Sequence, residues 1–203
     1  MSRDAEPTTH SVVSHGRPTK ARHATDRPRP ALATDQPRPA LVAVVGKSDS
    51  GKTTLIEKLI PELTRRGLRV GTIKHDAHSF EIDQPGKDSW RHSKAGACAY
   101  AIVSPSRLAF VSEHDHEPPL TDIVRSYFSG VDIVIAEGYK RSAPHRVEIF
   151  RSEAGHAQPL CDPTETLALV TDADLPHDHR FGLEDAGPLA ALLVEHLEAL
   201  QQY

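Results

Sequence analysis

Short, dense apolar runs recur along the chain, each closed by glycine or a polar turn and most separated by stretches with helical spacing. Residues 41–45, Leu-Val-Ala-Val-Val, run into Gly46, and residues 54–60 then place Leu55, Ile56, Leu59 and Ile60 at helical intervals. A helix is expected over 51–66, stopped by Gly67, with Arg65 and Arg66 favourably placed in its last turn and Pro61 as a kink point. Residues 70–75 read as a strand, Pro85-Gly86 as a turn, and 88–95 as a polar helix. Residues 100–103 and 108–111 flank Ser104-Pro105-Ser106-Arg107 as a hairpin inserted into the alternation. Residues 120–128 read as a helix, and the β-branched run 131–136 as a buried strand. Residues 146–150 alternate like a half-buried strand, 167–170 form a core strand, and 188–201 a closing helix with Leu189, Leu192, Leu193, His196, Leu197 and Leu200 inward. Strands alternating with helices predict an α/β fold: a three-layer sandwich, its sheet mostly parallel with an antiparallel hairpin or edge.

Composition changes this picture at the N-terminus. Residues 1–39 are rich in Pro, Thr, Arg and His, with few large apolar side chains, and contain a tandem repeat, residues 24–32 followed by 33–41. Burial could not offset the entropy of ordering them, so a disordered Pro/Arg-rich tail is expected, with a basic docking arm as the sharper alternative and residues 40–203 as the domain. The 203 residues, 38% hydrophobic and 26% charged, suit one core. A net charge of -4 provides no basic footprint for nucleic acid. No stretch approaches the roughly 20 apolar residues of a membrane span. Cys98 and Cys161 make neither a metal cluster nor a disulfide framework, which fits a soluble protein of the cytoplasm.

Residues 46–53, Gly-Lys-Ser-Asp-Ser-Gly-Lys-Thr, carry the clearest chemistry, matching the phosphate-loop pattern between a strand and a helix. Chance would supply that pattern in a chain of this length about one time in a hundred. Backbone N–H groups from Gly46, Lys47, Ser48, Ser50 and Gly51 can cradle phosphate and the helix adds its positive end. Lys52 can reach the terminal phosphates, and Thr53 can offer its hydroxyl to Mg²⁺. A carboxylate for the metal shell is expected at the end of a neighbouring core strand, where Glu137 stands before Gly138. Asp83, in the charged loop 83–92, is the candidate second carboxylate. Asp88 is expected to cap the following helix, and Arg91 to meet phosphate or a surface acid. Asp172 or Asp174, in Thr171-Asp172-Ala173-Asp174 after a core strand, could accept from guanine N1–H and N2–H₂; the segment partly resembles the guanine motif of GTPases, and either aspartate could instead be a turn or cap. The histidines at 75, 78, 114 and 116 lack metal-ligand spacing, although His75 ends a core strand beside the expected site.

Taken together, residues 46–54, Ile73-Lys74-His75 within 69–76, the loop 83–92, Ala95-Gly96-Ala97 and Glu137-Gly138-Tyr139-Lys140 resemble the MobB family of molybdopterin-guanine dinucleotide biosynthesis proteins over about residues 40–200. The resemblance implies a weakly hydrolysing, GTP-binding homodimer that assists the molybdenum cofactor guanylyltransferase acting on molybdopterin. It implies an adaptor, at most a weak GTPase. Carried across, Lys52, Thr53 and Thr54 would hold phosphate and Mg²⁺, Asp83 and Glu137 would sit at the metal, and Lys87, Arg91 and Lys140 would line the anionic site. Asp49 departs from the small or neutral residue common there. Lys47 resembles the first lysine of the deviant loop in dimeric ATPases, which contacts nucleotide across the dimer. The competing class is a P-loop kinase for a small metabolite, whose arginine-rich lid is not matched by a loop mixing Asp83, Lys87, Asp88 and Arg91.

Overall fold

Among the described residues, eight strands and four α-helices follow one another as β1 (Ala40–Val45), α1 (Lys52–Arg65), β2 (Val70–Lys74), α2 (Asp88–Lys94), β3 (Ala99–Val103), β4 (Leu108–Ser112), α3 (Leu120–Tyr127), β5 (Ile133–Glu137), β6 (Arg146–Phe150), β7 (Ala168–Thr171), β8 (Arg180–Phe181) and α4 (Ala186–Glu195). The computed structural model describes residues 37–76 and 80–203. The tail expected over 1–39 therefore lies outside the described residues except at 37–39. There, Arg38 donates to the Tyr203 carbonyl at 2.8 Å and Tyr203 donates its hydroxyl to the Pro39 carbonyl at 2.9 Å, so contacts of the fold reach back before residue 40.

The main sheet has the order β2-β5-β1-β6-β7-β8, with every pairing parallel. Parallel strands need covered faces, and β1 shows why its run is continuously apolar: all six residues are buried, none more than 1% exposed. Ala40, Val42 and Val44 face one layer, with Leu55, Ile56, Leu59 and Leu63 of α1 and Leu189, Ala190, Leu192 and Leu193 of α4. Leu41, Ala43 and Val45 face the other, with Leu120 and Val124 of α3. Each large side chain fully buried in this way contributes about 1.5–3 kcal/mol. The result is the expected three-layer α/β sandwich, and it brings the C-terminal ends of all six strands to one edge.

The expected antiparallel hairpin is present as β3/β4, a sheet of its own. Other expectations need correction. β6 is not half-buried: Glu148, the polar position of its alternation, is 2% exposed because Leu160 and Cys161 donate their backbone N–H groups to its carboxylate. The closing helix ends at Glu195, where Leu197 N–H turns to the Val194 carbonyl, and resumes as a 3₁₀ turn over Ala199–Gln201. Lys87, in extended conformation, is the N-cap of α2, and Asp88 occupies the first turn without a capping bond. The two-residue β8 was too short to leave a periodic signal.

Candidate nucleotide-binding site

The phosphate loop leaves the buried end of β1 and enters α1 at Lys52. Gly46 has φ +151°, and a Cβ there would stand 2.5 Å from the Ile149 carbonyl oxygen and 2.6 Å from Ser50 Oγ, so only glycine fits. Gly51 (φ +94°) and Asp49 (φ +61°) also take left-handed conformations. Asp49 is one of the few side-chain types that tolerate this, and its carboxylate is exposed, away from the loop's interior. Ser50 is 2% exposed and its hydroxyl, beside Gly46 in the loop, has no hydrogen-bond partner among the described residues. Lys52 donates its ammonium to the carbonyls of Gly46 (3.1 Å) and Lys47 (2.8 Å), folded over its own loop.

β5 supplies the opposing acid. Its register pairs Val44 with Glu137, which sets that carboxylate at the end of the strand next to β1. Thr53 donates its hydroxyl to Glu137 Oε1 at 2.9 Å. The chain turns away at Gly138 (φ +95°), whose N–H donates to the Val44 carbonyl at 3.0 Å. His75 packs its ring 4.8 Å from Tyr139, and its Nε2 lies 3.2 Å from Glu117. A hydroxyl, a carboxylate and an unpartnered serine around one loop fit a magnesium–triphosphate group, which would supply charge neutralisation at the phosphates when bound.

The other expected residues have different surroundings. Asp83 accepts from Ser89 Oγ at 3.0 Å and from the Gln84 N–H at 2.9 Å, in a cavity of about 490 Å³ that it lines with Trp90, Tyr100 and His114. The structure brings Asp83 to Ser89 and Tyr100 rather than to Thr53 and Glu137. Burial first, then the Asp83 charge, pushes the Tyr100 phenol above its usual value. Arg91 pairs with Asp88 at 3.7 Å on the exposed face of α2, and Lys87 is exposed. Lys140 is exposed, its carbonyl taken by Arg146 at 2.9 Å. Lys47 donates its ammonium to the Gln158 carbonyl at 2.8 Å within its own chain.

Asp172 and Asp174 follow β7 and line a second cavity of about 420 Å³ with Thr171, Arg180, Phe181 and Gly182. Both oxygens of Asp172 are committed, one to the Ser152 N–H at 2.8 Å and one to its hydroxyl at 2.9 Å. That backbone N–H, ahead of the other causes, holds the Asp172 carboxyl below its usual range. Asp174 pairs with Arg180 and is almost wholly exposed.

Sequence reasoning missed the segment that follows β6. Arg151 Cδ would lie 3.5 Å from a Cβ on Gly51, His156 Nε2 is 2.9 Å from the Ser48 carbonyl, and Gln158 holds Lys47, so residues 151–161 strap the phosphate loop. The usable signal was position: Arg151 directly follows a core strand, at the edge where α/β sheets bind ligands.

A phosphate loop between the first strand and first helix of a parallel sheet, with a threonine and a strand-end carboxylate in contact beside it, defines a P-loop nucleotide-binding α/β protein. The family model described as molybdopterin guanine dinucleotide synthesis protein B matches residues 41–172, and the chain belongs to this MobB family. It is 36% identical over 164 residues to the molybdopterin-guanine dinucleotide biosynthesis adapter protein of Escherichia coli (strain K12), covering 78% of this chain and 93% of that one. The adapter protein of the same name from Haemophilus influenzae is 37% identical over 140 residues, covering 68% and 78%. Among solved structures, Bacillus subtilis MobB superposes with a TM-score of 0.60 at 29% identity, covering 78% of this chain and 97% of that one.

Proposed function

We propose that this chain is a GTP- and Mg²⁺-binding adaptor in molybdopterin-guanine dinucleotide biosynthesis, assisting the guanylyltransferase that joins a guanylyl group to molybdopterin. The observation that carries the reading is the Thr53–Glu137 contact at 2.9 Å beside a phosphate loop whose buried Ser50 hydroxyl has no partner among the described residues. The names of the relatives supply the pathway and the adaptor role. In this reading Lys52 leaves the Gly46 and Lys47 carbonyls for the terminal phosphates. Thr53 and Glu137 hold the metal side, directly or through water, and Thr54 lies in the first turn of α1, whose dipole favours the anion. Asp83 would have to turn from Ser89 to reach the metal shell. In this reading the chain is at most a weak GTPase and acts mainly as an adaptor.

Action as a homodimer in the cytoplasm belongs to the same proposal. The β3/β4 hairpin supports the dimer: a lone two-stranded sheet is marginal, and this one exposes Ile102 (50%), Val103 (70%), Leu108 (70%) and Phe110 (44%). The free thiols of Cys98 and Cys161 support a reducing compartment, and no helix among the described residues is long and apolar enough to cross a membrane.

Calorimetric titration of GTP and ATP, with and without a guanylyltransferase and molybdopterin, tests the reading. GTP should bind more tightly than ATP, Lys52→Ala should abolish measurable binding with the fold intact, and the transferase should turn over faster with the parent chain than with Lys52→Ala. Equal affinity for both nucleotides would remove the guanine assignment. Transfer of γ-labelled phosphate to a small metabolite would replace the adaptor with a kinase.

A further inference from the structure

β7 and β8 lie on the far side of β6 from β1, which puts the cavity between their ends about two strand spacings, roughly 10 Å, from the strand that carries the phosphate loop. A ribose and one phosphate bridge such a gap. The cavity is also tied to the loop covalently and through hydrogen bonds: Asp172 holds Ser152, and Ser152 follows the Arg151 that packs beside Gly51. Two charged side chains with capacity to spare, Arg180 and Asp174, pair with each other on its wall. Arg180 donates through Nη1 to Asp174 Oδ1 and, at 3.2 Å, to the Leu175 carbonyl, which leaves Nε and Nη2 of its five-donor fork for a ligand. Asp174, unlike Asp172, has an oxygen to spare.

We propose that Arg180 is a specificity residue of the nucleotide site, donating to O6 and N7 of guanine while Asp174 accepts from N1–H and N2–H₂. This rests on the proposal that the chain binds GTP. Guanine presents two acceptors beside two donors, and an arginine fork is the side chain that matches O6 and N7 bidentately. An adjacent carboxylate matches N1–H and N2–H₂, so the Arg180–Asp174 pair is a preformed complement to the guanine edge. Adenine meets it with an amino group opposite the guanidinium and no N1–H opposite the carboxylate. The pair replaces the lysine-containing guanine motif that Thr171-Asp172-Ala173-Asp174 only partly matches: Asp172, where lysine is usual, positions the strap through Ser152, and the cation comes from β8 instead.

The test is calorimetry on the full chain with Mg²⁺ and GTP, 7-deaza-GTP, ITP, XTP and ATP. 7-deaza-GTP lacks the N7 acceptor, and ITP lacks the 2-amino donor. In the parent chain each should bind several-fold to 10-fold more weakly than GTP. Arg180→Gln should weaken GTP by about 10-fold or more, the worth of a bidentate pair, and erase the penalty for 7-deaza-GTP while keeping that for ITP. Asp174→Asn should shift preference from GTP toward XTP. Circular dichroism melts of both variants, together with unchanged ATP binding, check that the site is intact. If Arg180→Gln binds GTP as the parent does, or weakens GTP and ATP equally, the assignment of Arg180 is overturned while the GTP-binding proposal stands. If the parent binds no triphosphate, both fall.

Discussion

Replacing Glu148 by Gln probes the hinge between the sheet and the strap over the phosphate loop. Glu148 lies in the middle of β6, 2% exposed, with one carboxylate oxygen accepting from Leu160 N–H and the other from Cys161 N–H at 2.9 Å. Gln keeps one acceptor and turns an amide NH₂ toward the other N–H. That loses one hydrogen bond to a charged group, about 1.5–3 kcal/mol, and leaves a buried N–H opposed by another donor, about 1–3 kcal/mol more. A loss of about 3 kcal/mol, roughly 100-fold in the folding equilibrium, is the central expectation. Urea unfolding should show it as a lower midpoint at unchanged slope. A second signal comes from Cys161. Burial foremost, then the Glu148 charge, pushes its thiol up to about 11 from a usual 9.0, so its reactive thiolate is about 100-fold scarcer than in an unperturbed cysteine. Alkylation followed by mass spectrometry, with exposed Cys98 as the reference in the same molecule, should find Cys161 slow in the parent chain and faster in Glu148→Gln. Equal labelling of the two cysteines in the parent, or a stability change below about 0.5 kcal/mol, would refute the account.

Gly46→Ala should cost about 3 kcal/mol or more, because a methyl at φ +151° overlaps the Ile149 carbonyl oxygen; thermal unfolding within a degree of the parent would contradict this. The Asp172 carboxyl is held below its usual 3.8 in the folded chain, so its contribution is complete above that value and is lost as pH falls through the lower folded value. Asp172→Asn should therefore unfold at lower urea than the parent near neutral pH, the gap narrowing in strong acid; a gap that widens there has the wrong sign. Deleting residues 1–36 should leave melting temperature and GTP binding unchanged. Extending the deletion through residue 39 removes the partners of Tyr203 and should lower the melting temperature, an ordering that a thermal shift assay reads directly.

The layers and the phosphate loop were legible because they rest on local rules. Continuous apolar runs marked β1 and β5, helical spacing marked α1, and the glycines at 46 and 51 stand where left-handed or crowded backbone demands them. Glu137 was legible for the same reason, as the first polar residue after a buried run. What escaped was decided by contacts between distant segments. Glu148 looked like the solvent face of a strand because alternation cannot tell a carboxylate in water from one holding two backbone N–H groups. Asp83 sat in a loop whose charge density suggested a ligand, yet loop composition does not say which way a side chain turns. Arg151, His156 and Gln158 act on the phosphate loop from 100 or more positions away, a separation at which no sequence period operates.

The order of strands also sets a timetable for synthesis. β1 leaves the ribosome before the rest of the sheet, yet its two neighbours are β5 and β6, with Ala40 beside Ile133 and Ala43 beside Arg146. At about 5–20 residues per second, the hundred residues that separate β1 from β6 take on the order of 5–20 s to make. For most of that interval, until β5 is made, this wholly buried strand has no native strand partner, and the phosphate loop at its end lacks both Glu137 and the Ile149 carbonyl against which Gly46 packs. The nascent chain is therefore at its most aggregation-prone early, and its phosphate loop gains its neighbours in the sheet only once β6 has been made.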